Sequence, residues 1–389
     1  MYSEHISAEV IIFLILYGMT GVVSLIAAIY LLFRRGNAFA HEVTPPMRLR
    51  RWAAAFFAIS ALGHVWWCLF YIFDNNINSA SYVLLVVLDY ILLLPAIAGT
   101  LLAMLQDRKR PIWPIFTAMI PIAALGGVLI GYTNELLMKI AIVYLMALYV
   151  IFFMYMVFAV HQYERWLNDN YADLENKKVW LSQVVMLVCM LAFILYALVD
   201  TDSILIYIMH ITELLLFGLL LWRVETLPQL NSTSTEQACR MPDSEIEQEP
   251  DVPNQEQHQT ANQINFDLSN IGQLLTEHCV KTQLYLQHDL SLQQLALTIG
   301  TNRSYLSKYF SRQGIAYNIY INNLRIDHFI SLYKKIADAG QHFTVQKLSI
   351  DSGYRSYSTF SLAFKQRMGQ SVTAWIRNEN RHNESEPDK

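Results

Sequence analysis

Apolar residues change their pattern once along this chain. Up to about Trp222 they come in long unbroken runs, and after Thr226 they recur at helical spacing between polar residues. A helix needs roughly 20 apolar residues to cross the hydrocarbon core of a bilayer. Seven runs reach that length: 9–33, 52–73, 82–105, 112–132, 137–160, 179–199 and 204–222. They predict a seven-helix transmembrane bundle over residues 1–225. The stretch Met1 to Glu9 has acids and a histidine but no Lys or Arg, and the run behind it is too long for a cleaved signal peptide, so the first span is expected to remain.

The connections between runs alternate in charge. Arg34, Arg35, Arg48, Arg50 and Arg51 follow the first run, Arg108, Lys109 and Arg110 the third, Arg165, Lys177 and Lys178 the fifth, and Arg223 the seventh. The segments Asp74 to Ser81, Thr133 to Glu135 and Asp200 to Ser203 carry acids and amides without Lys or Arg. Basic loops face the cytoplasm, which predicts a multi-pass membrane protein, N-terminus outside and C-terminus inside. The outer connections are too short to fold into a receptor domain, so a signal has to be read within the bundle or the bilayer.

Ionisable residues at membrane depth are costly and therefore informative. They are His64, Asp89, Lys139, His210 and Glu213. His210 and Glu213 are three apart and share a helix face. Two readings stand side by side for Asp89, His210 and Glu213: a ligand or ion pocket with the acids as acceptors, or a polar clamp between helices. Lys139 sits near a helix end, where its side chain reaches the interface. His64, flanked by Trp66 and Trp67, reads as a packing histidine, and Trp66, Trp67, Tyr71 and Trp113 read as interface and packing aromatics.

Residues 226–265 are rich in Gln, Glu, Ser, Thr and Pro, a composition that cannot bury a core and predicts a disordered linker. Its acids, Glu236, Asp243, Glu245, Glu247, Glu249, Asp251 and Glu256, face a single base, Arg240. A random coil of that length spans ~35 Å, enough to let a following domain reach DNA beside a membrane. A solvated spacer and a proteolytic release site are both compatible with it.

From residue 266 to 378 the spacing is that of helices joined by short glycine turns. Ile271, Leu274, Leu275 and Cys279 form one stripe. A capping box at Ser291 and Gln294 opens a helix with Leu292, Leu295, Ala296 and Ile299 inward, and Gly300 and Thr301 turn the chain. Asn302 then caps a helix carrying Tyr305, Leu306, Tyr309 and Phe310. After a long helix, 317–335, the unit recurs: Val345, Leu348 and Ile350, the turn Ser352-Gly353-Tyr354, a cap at Ser356, then Phe360, Ala363 and Phe364. This is the helix-turn-helix pattern, twice. Between Asn302 and Arg377 the bases Arg303, Lys308, Arg312, Arg325, Lys334, Lys335, Lys347, Arg355, Lys365, Arg367 and Arg377 outnumber Asp327, Asp338 and Asp351, the electrostatic footprint of a DNA-binding surface. Residues 379–389 form a polar tail.

Composition agrees with this division. A content of 54% hydrophobic and 15% charged residues over 389 positions, with mean hydropathy +0.28, is too apolar for an ordinary soluble protein. The net charge of −4 averages over two unlike halves. Cys68, Cys189, Cys239 and Cys279 show no metal-ligand spacing, so reduced thiols and no structural metal are expected. No HExxH, GxSxG or Walker motif is present, and neither catalysis nor a cofactor is expected.

The stretches DLSLQQLALTIGTNRSYLSKYFSRQG and SIDSGYRSYSTFSLAFKQRMGQSVTAW resemble the AraC/XylS class of bacterial transcription regulators over about residues 270–377. Gly353, Tyr354, Ser356, Phe360, Phe364, Lys365 and Gly369 fall at that family's spacing. The resemblance implies an all-α fold of two helix-turn-helix units joined by a long helix, with two recognition helices in successive major-groove segments. It implies that Arg303, Ser304, Ser307 and Lys308, and then Tyr357, Ser358 and Ser361, face DNA bases, while Lys365 and Arg367 meet phosphate. Leu362 stands where the family often carries Arg, and Ala374 where it often carries Pro, so the second unit is expected to read DNA by shape or weaker contacts. The family's usual soluble ligand-binding domain is absent.

The expected function is a membrane-bound one-component regulator whose bundle senses a small-molecule or membrane-borne signal. Its expected partners are double-stranded DNA and the lipid bilayer, with a homodimer on DNA left open. Two alternatives stand: a transporter or membrane enzyme with a DNA-binding feedback tail, and a bundle that acts only as an anchor. No internal repeat supports the transporter.

Overall fold

A computed structural model describes residues 8–34, 37–40, 43–74, 76, 80–132, 134–174, 177–196, 203–230 and 268–385. Most of the expected linker, residues 231–267, and the last four residues of the polar tail lie outside the described residues. Among the described residues the fold is all-helical, without strands. The chain forms two compact units, one of Met1–Tyr163 and Asn176–Cys239, the other of Glu164–Glu175 and Arg240–Lys389.

The first unit holds α1 (Ala8–Phe33), α2 (Met47–Phe73), α3 (Ala80–Met104), α4 (Trp113–Gly131), most of α5 (Glu135–Asn170), α6 (Trp180–Tyr196) and α7 (Ser203–Thr226). Six of these, α1 to α5 and α7, are long and apolar enough to cross a membrane. The sequence predicts a seventh span over 179–199. Its helix α6 has 17 residues, ending at Tyr196, and residues 197–202 lie outside the described ones. Apolar side chains cover the outside of the bundle: Ile26 is 60%, Val143 67% and Ile151 65% exposed, a surface suited to lipid and aggregation-prone in water.

Helix α1 packs on α2 and α7, α2 on α3, α3 on α4, and α6 on α7. The approach of α2 to α3 depends on Gly99, where an added Cβ would sit 2.5 Å from the Trp52 ring. One end of the bundle is a polar knot. The fully buried Glu225 accepts from Tyr30 Oη at 3.0 Å and pairs with Arg50 Nε at 3.6 Å, while its backbone carbonyl accepts from Asn37 Nδ2 at 2.6 Å. Arg110 is clamped by Asp107 at 2.5 Å, and Arg223 donates to the Lys178 carbonyl. Buried charge is tolerated only when paired in this way. Leu227 to Leu230, expected from sequence to belong to the linker, extend the knot: Gln229 N donates to Thr44 O at 2.9 Å and Leu230 N to Gln106 Oε1 at 2.8 Å.

The second unit contains α8 (Leu268–Leu275), α9 (Leu292–Thr298), α10 (Arg303–Gln313), α11 (Tyr317–Asp338), α12 (Val345–Asp351), α13 (Tyr357–Met368) and α14 (Val372–Ser385). Its helix boundaries follow the caps. Ser291 Oγ accepts Gln294 N at 3.2 Å, while Gln294 Oε1 accepts Ser291 N at 2.8 Å. Asn302 Oδ1 receives Tyr305 N at 2.9 Å, and Ser356 Oγ receives Thr359 N at 3.3 Å. The helix α10 stops at Gly314 and α13 at Gly369, both with left-handed backbone that favours glycine.

Helix α11 serves two cores. Tyr317 and Ile321 join Leu292, Leu295, Leu306 and Phe310 in the first. Ile326, Phe329 and Tyr333 join Leu348, Phe360, Phe364 and Trp375 in the second. One expected core position fails: Ile350 is 45% exposed. It lies two residues from buried Leu348, about 200° around a helix, so the two cannot share a face; Ser349 and Ser352 turn inward instead. The turn at Gly353 has φ +88°, and a Cβ there would meet Leu286 Cα at 2.7 Å.

Two further features of this unit were not legible in the pattern. Ala172, from the short segment after α5, is 1% exposed within the first core. Its N–H donates to Leu290 O at 3.2 Å, and its carbonyl accepts from Asn318 Nδ2 at 2.7 Å. Arg325, counted by charge alone among the DNA-facing bases, is instead an internal strut. It donates to Tyr285 O at 2.7 Å and Gln287 O at 2.8 Å and lies over the Tyr354 ring. Burial lowers its pKa from the usual arginine value.

Candidate nucleic-acid interface and bundle cavity

The two helix-turn-helix units present matching faces. On α10, Leu306 and Phe310 point into the core, leaving Arg303, Ser304, Ser307 and Lys308 exposed. On α13, Phe360, Ala363 and Phe364 point inward, leaving Tyr357, Ser358 and Lys365 exposed and Ser361 half-buried. Each outward stripe runs at i, i+1, i+4 and i+5 from the first residue of its helix, which on α13 places Leu362 at the last position and Lys365 one turn beyond it. Such a stripe, at the N-terminal end of the second helix of the motif, is the one that meets base edges in a major groove.

The faces differ in charge. Lys308 on the first corresponds to Leu362 on the second, and Leu362 is 57% exposed. Arg367 is committed to α11, donating to the Asn323 carbonyl and to Asp327 Oδ1 at 2.6 Å; Arg355 lies 3.6 Å from Asp289. The first helix-turn-helix therefore carries the stronger cationic face.

Arg303 has a partner within its own unit. Its Nε donates to Asn170 Oδ1 at 2.8 Å, beside the docked Ala172. A guanidinium held through Nε is restrained in how far it can swing toward a base edge. Sequence reasoning missed Asn170 because it stands 133 residues before Arg303 and carries no motif.

In the first unit a cavity of about 660 Å³ opens among α2 to α7, walled by apolar and aromatic side chains such as Phe56, Tyr90 and Phe217. Asp89 and Glu213 are its acidic lining residues. A mostly apolar cavity with a few convergent polar groups is the usual form of a small-molecule site. Asp89 Oδ2 accepts from Trp67 Nε1 at 2.5 Å. His210, expected alongside these acids, pairs with Glu213, its Nδ1 3.5 Å from Oε2.

His64, expected to be a packing residue, joins the same polar cluster. Its Nε2 is 2.7 Å from Thr20 Oγ1, its Nδ1 is 2.8 Å from Ser60 O, and its carbonyl accepts from Tyr17 Oη at 2.7 Å. The Tyr17 ring packs against both imidazoles, 4.8 Å from His64 and 5.7 Å from His210. Treating each buried ionisable residue as a functional candidate would have kept His64 in the set. Lys139 pairs with Glu135 on the surface, away from this cluster.

Residues 295–378 match a protein family described as Helix-turn-helix domain. No curated protein and no solved structure matches the chain.

Proposed function

We propose that this protein is a membrane-bound, one-component transcription regulator of the AraC/XylS type. The observation that carries the reading is the pair of capped helix-turn-helix units, each turning the outward stripe of its second helix to solvent. Arg303, Ser304, Ser307 and Lys308 read bases from the first unit. Tyr357, Ser358 and Ser361 make weaker contacts from the second, Lys365 meets phosphate, and Arg367 does so once released from Asp327.

The N-terminal bundle crosses the bacterial cytoplasmic membrane seven times. Arg50, Arg110 and Arg223 gather at the end of the bundle from which the chain leaves at Leu230, which supports placing that end, and the DNA-binding domain, in the cytoplasm. The cavity holding Asp89 and Glu213 takes a small or membrane-borne ligand with an apolar body and a polar or cationic head. Asn170 and Ala172 supply the control. Asn170 is the last residue of α5 and Ala172 follows two residues on; the earlier turns of that helix belong to the bundle, so a shift in it alters how firmly Arg303 is held.

The test is selection of duplex DNA by residues 266–389 from a random pool, repeated across salt concentrations. A defined motif with strongly salt-dependent affinity is expected, with Arg303→Ala costing about 1–3 kcal/mol at one base position. Binding without sequence preference would remove the regulator reading. A reporter response to signal that is unchanged by Asp89→Asn with Glu213→Gln would leave the bundle as an anchor.

A further inference from the structure

We propose that the bundle holds one divalent transition-metal ion of the zinc class, ligated by His64 on α2 and by His210 and Glu213 on α7. This deepens the sensing reading above by naming a chemistry for the polar cluster, and it leaves the cysteines without a part in it. One donor atom from each of the three residues already lies within 4.8 Å of the others. A tetrahedral ion with bonds of about 2.0–2.1 Å holds its donors roughly 3.3 Å apart, so a small rotation of each side chain closes the site. Two imidazoles and one carboxylate form a common protein donor set for zinc.

Hydrogen bonding prepares His64 for this role. The Ser60 carbonyl can only accept, so the proton sits on Nδ1 and the lone pair on Nε2 faces the cluster. An imidazole oriented by a carbonyl behind it is the arrangement found at metal centres. In front, donors are too few. Thr20 has one hydroxyl hydrogen, yet both His64 Nε2 and the Tyr17 carbonyl lie 2.7 Å from its oxygen. Across the gap, His210 Nδ1 is buried without a hydrogen bond, 3.5 Å from the Glu213 carboxylate. A cation supplies what these acceptors lack, and Asp89, which lines the same cavity, adds negative charge.

The site also lies toward one end of the bundle. At 1.5 Å per residue, His64 lies roughly 14 Å from the end of α2 at Phe73, and His210 roughly 10 Å from the start of α7 at Ser203. Both distances run to the end of the bundle whose connections carry Asp74, Asp200 and Asp202 and no Lys or Arg, a potential that draws cations in. Phe13 and Tyr17 pack on the His210 ring and hold its plane.

The test uses full-length, tag-free protein in lipid nanodiscs, titrated with Zn²⁺ and, as a spectroscopic probe, Co²⁺. One equivalent per chain is expected, with the visible bands of a four-coordinate cobalt site. His210→Gln and Glu213→Gln should each weaken binding at least about tenfold, and His64→Gln with His210→Gln should abolish it. Thr20→Val, which removes only the competing hydroxyl, keeps the site and guards against a folding artefact. Absence of the cobalt bands in wild type, or equal metal content in the double variant, overturns the proposal. Because binding is read without DNA, a metal bound by wild type and lost in the double variant, but without effect on a reporter, upholds the site and removes only the sensing role.

Discussion

Asn170→Ala tests whether the end of α5 restrains the DNA-binding domain. The substitution deletes the acceptor 2.8 Å from Arg303 Nε and leaves Ala172 in the core, so the perturbation is confined to one side chain. A hydrogen bond to a charged group contributes about 1.5–3 kcal/mol. Arg303 is on the surface, where water competes for it, which reduces the value to about 1 kcal/mol. Since 1.4 kcal/mol is a tenfold change in affinity, operator binding should tighten about fivefold. The assay is fluorescence anisotropy of a labelled duplex with full-length protein in nanodiscs. Arg303→Ala should weaken binding, and Asn170→Ala should then give no further gain, because the two act through one bond. Unchanged affinity in Asn170→Ala, or a gain that persists without Arg303, would refute the restraint.

Arg325→Met should lower the unfolding free energy of residues 266–389 by about 3–5 kcal/mol, since it strands the carbonyls of Tyr285 and Gln287 inside the fold; a denaturant titration showing a loss below about 1 kcal/mol would contradict the strut assignment. His328 is held below its ordinary 6.5 by burial and then by the Lys335 charge. The unfolded chain therefore takes up this proton first, and stability should be full above that pH and decline as pH falls through 6.5. Thermal melts from neutrality downward should show a shallower decline in His328→Gln, and an identical slope would exclude the residue.

The C-terminal architecture was readable because its signals are local. Ser291, Asn302 and Ser356 stand next to the helices they cap, and Gly314 and Gly369 next to those they end, so each boundary is written within a few residues. The exposed stripes on α10 and α13 follow from the same periodicity that buries Leu306 and Phe360. What failed depended on distance or context. Arg325 counts as a cation in any tally of charge, and only the tertiary fold turns it toward two carbonyls. His64 looked like packing beside Trp66 and Trp67 because its partners, Thr20 and the His210 pair, come from other helices. Ile350 was misplaced by matching apolar residues to a helix too short to show its period.

Docking of Ala172 into the first core of the C-terminal unit also bears on how the chain is made. Asn170 and Arg303 are 133 residues apart, and at about 5–20 residues per second a ribosome needs roughly 7–27 s to cover that interval. Throughout it the tip of α5 has no cover, while α6 and α7 are being synthesised. The C-terminal unit thus completes a segment made long before it, and a chain truncated before that unit leaves Ala172 without the core that buries it.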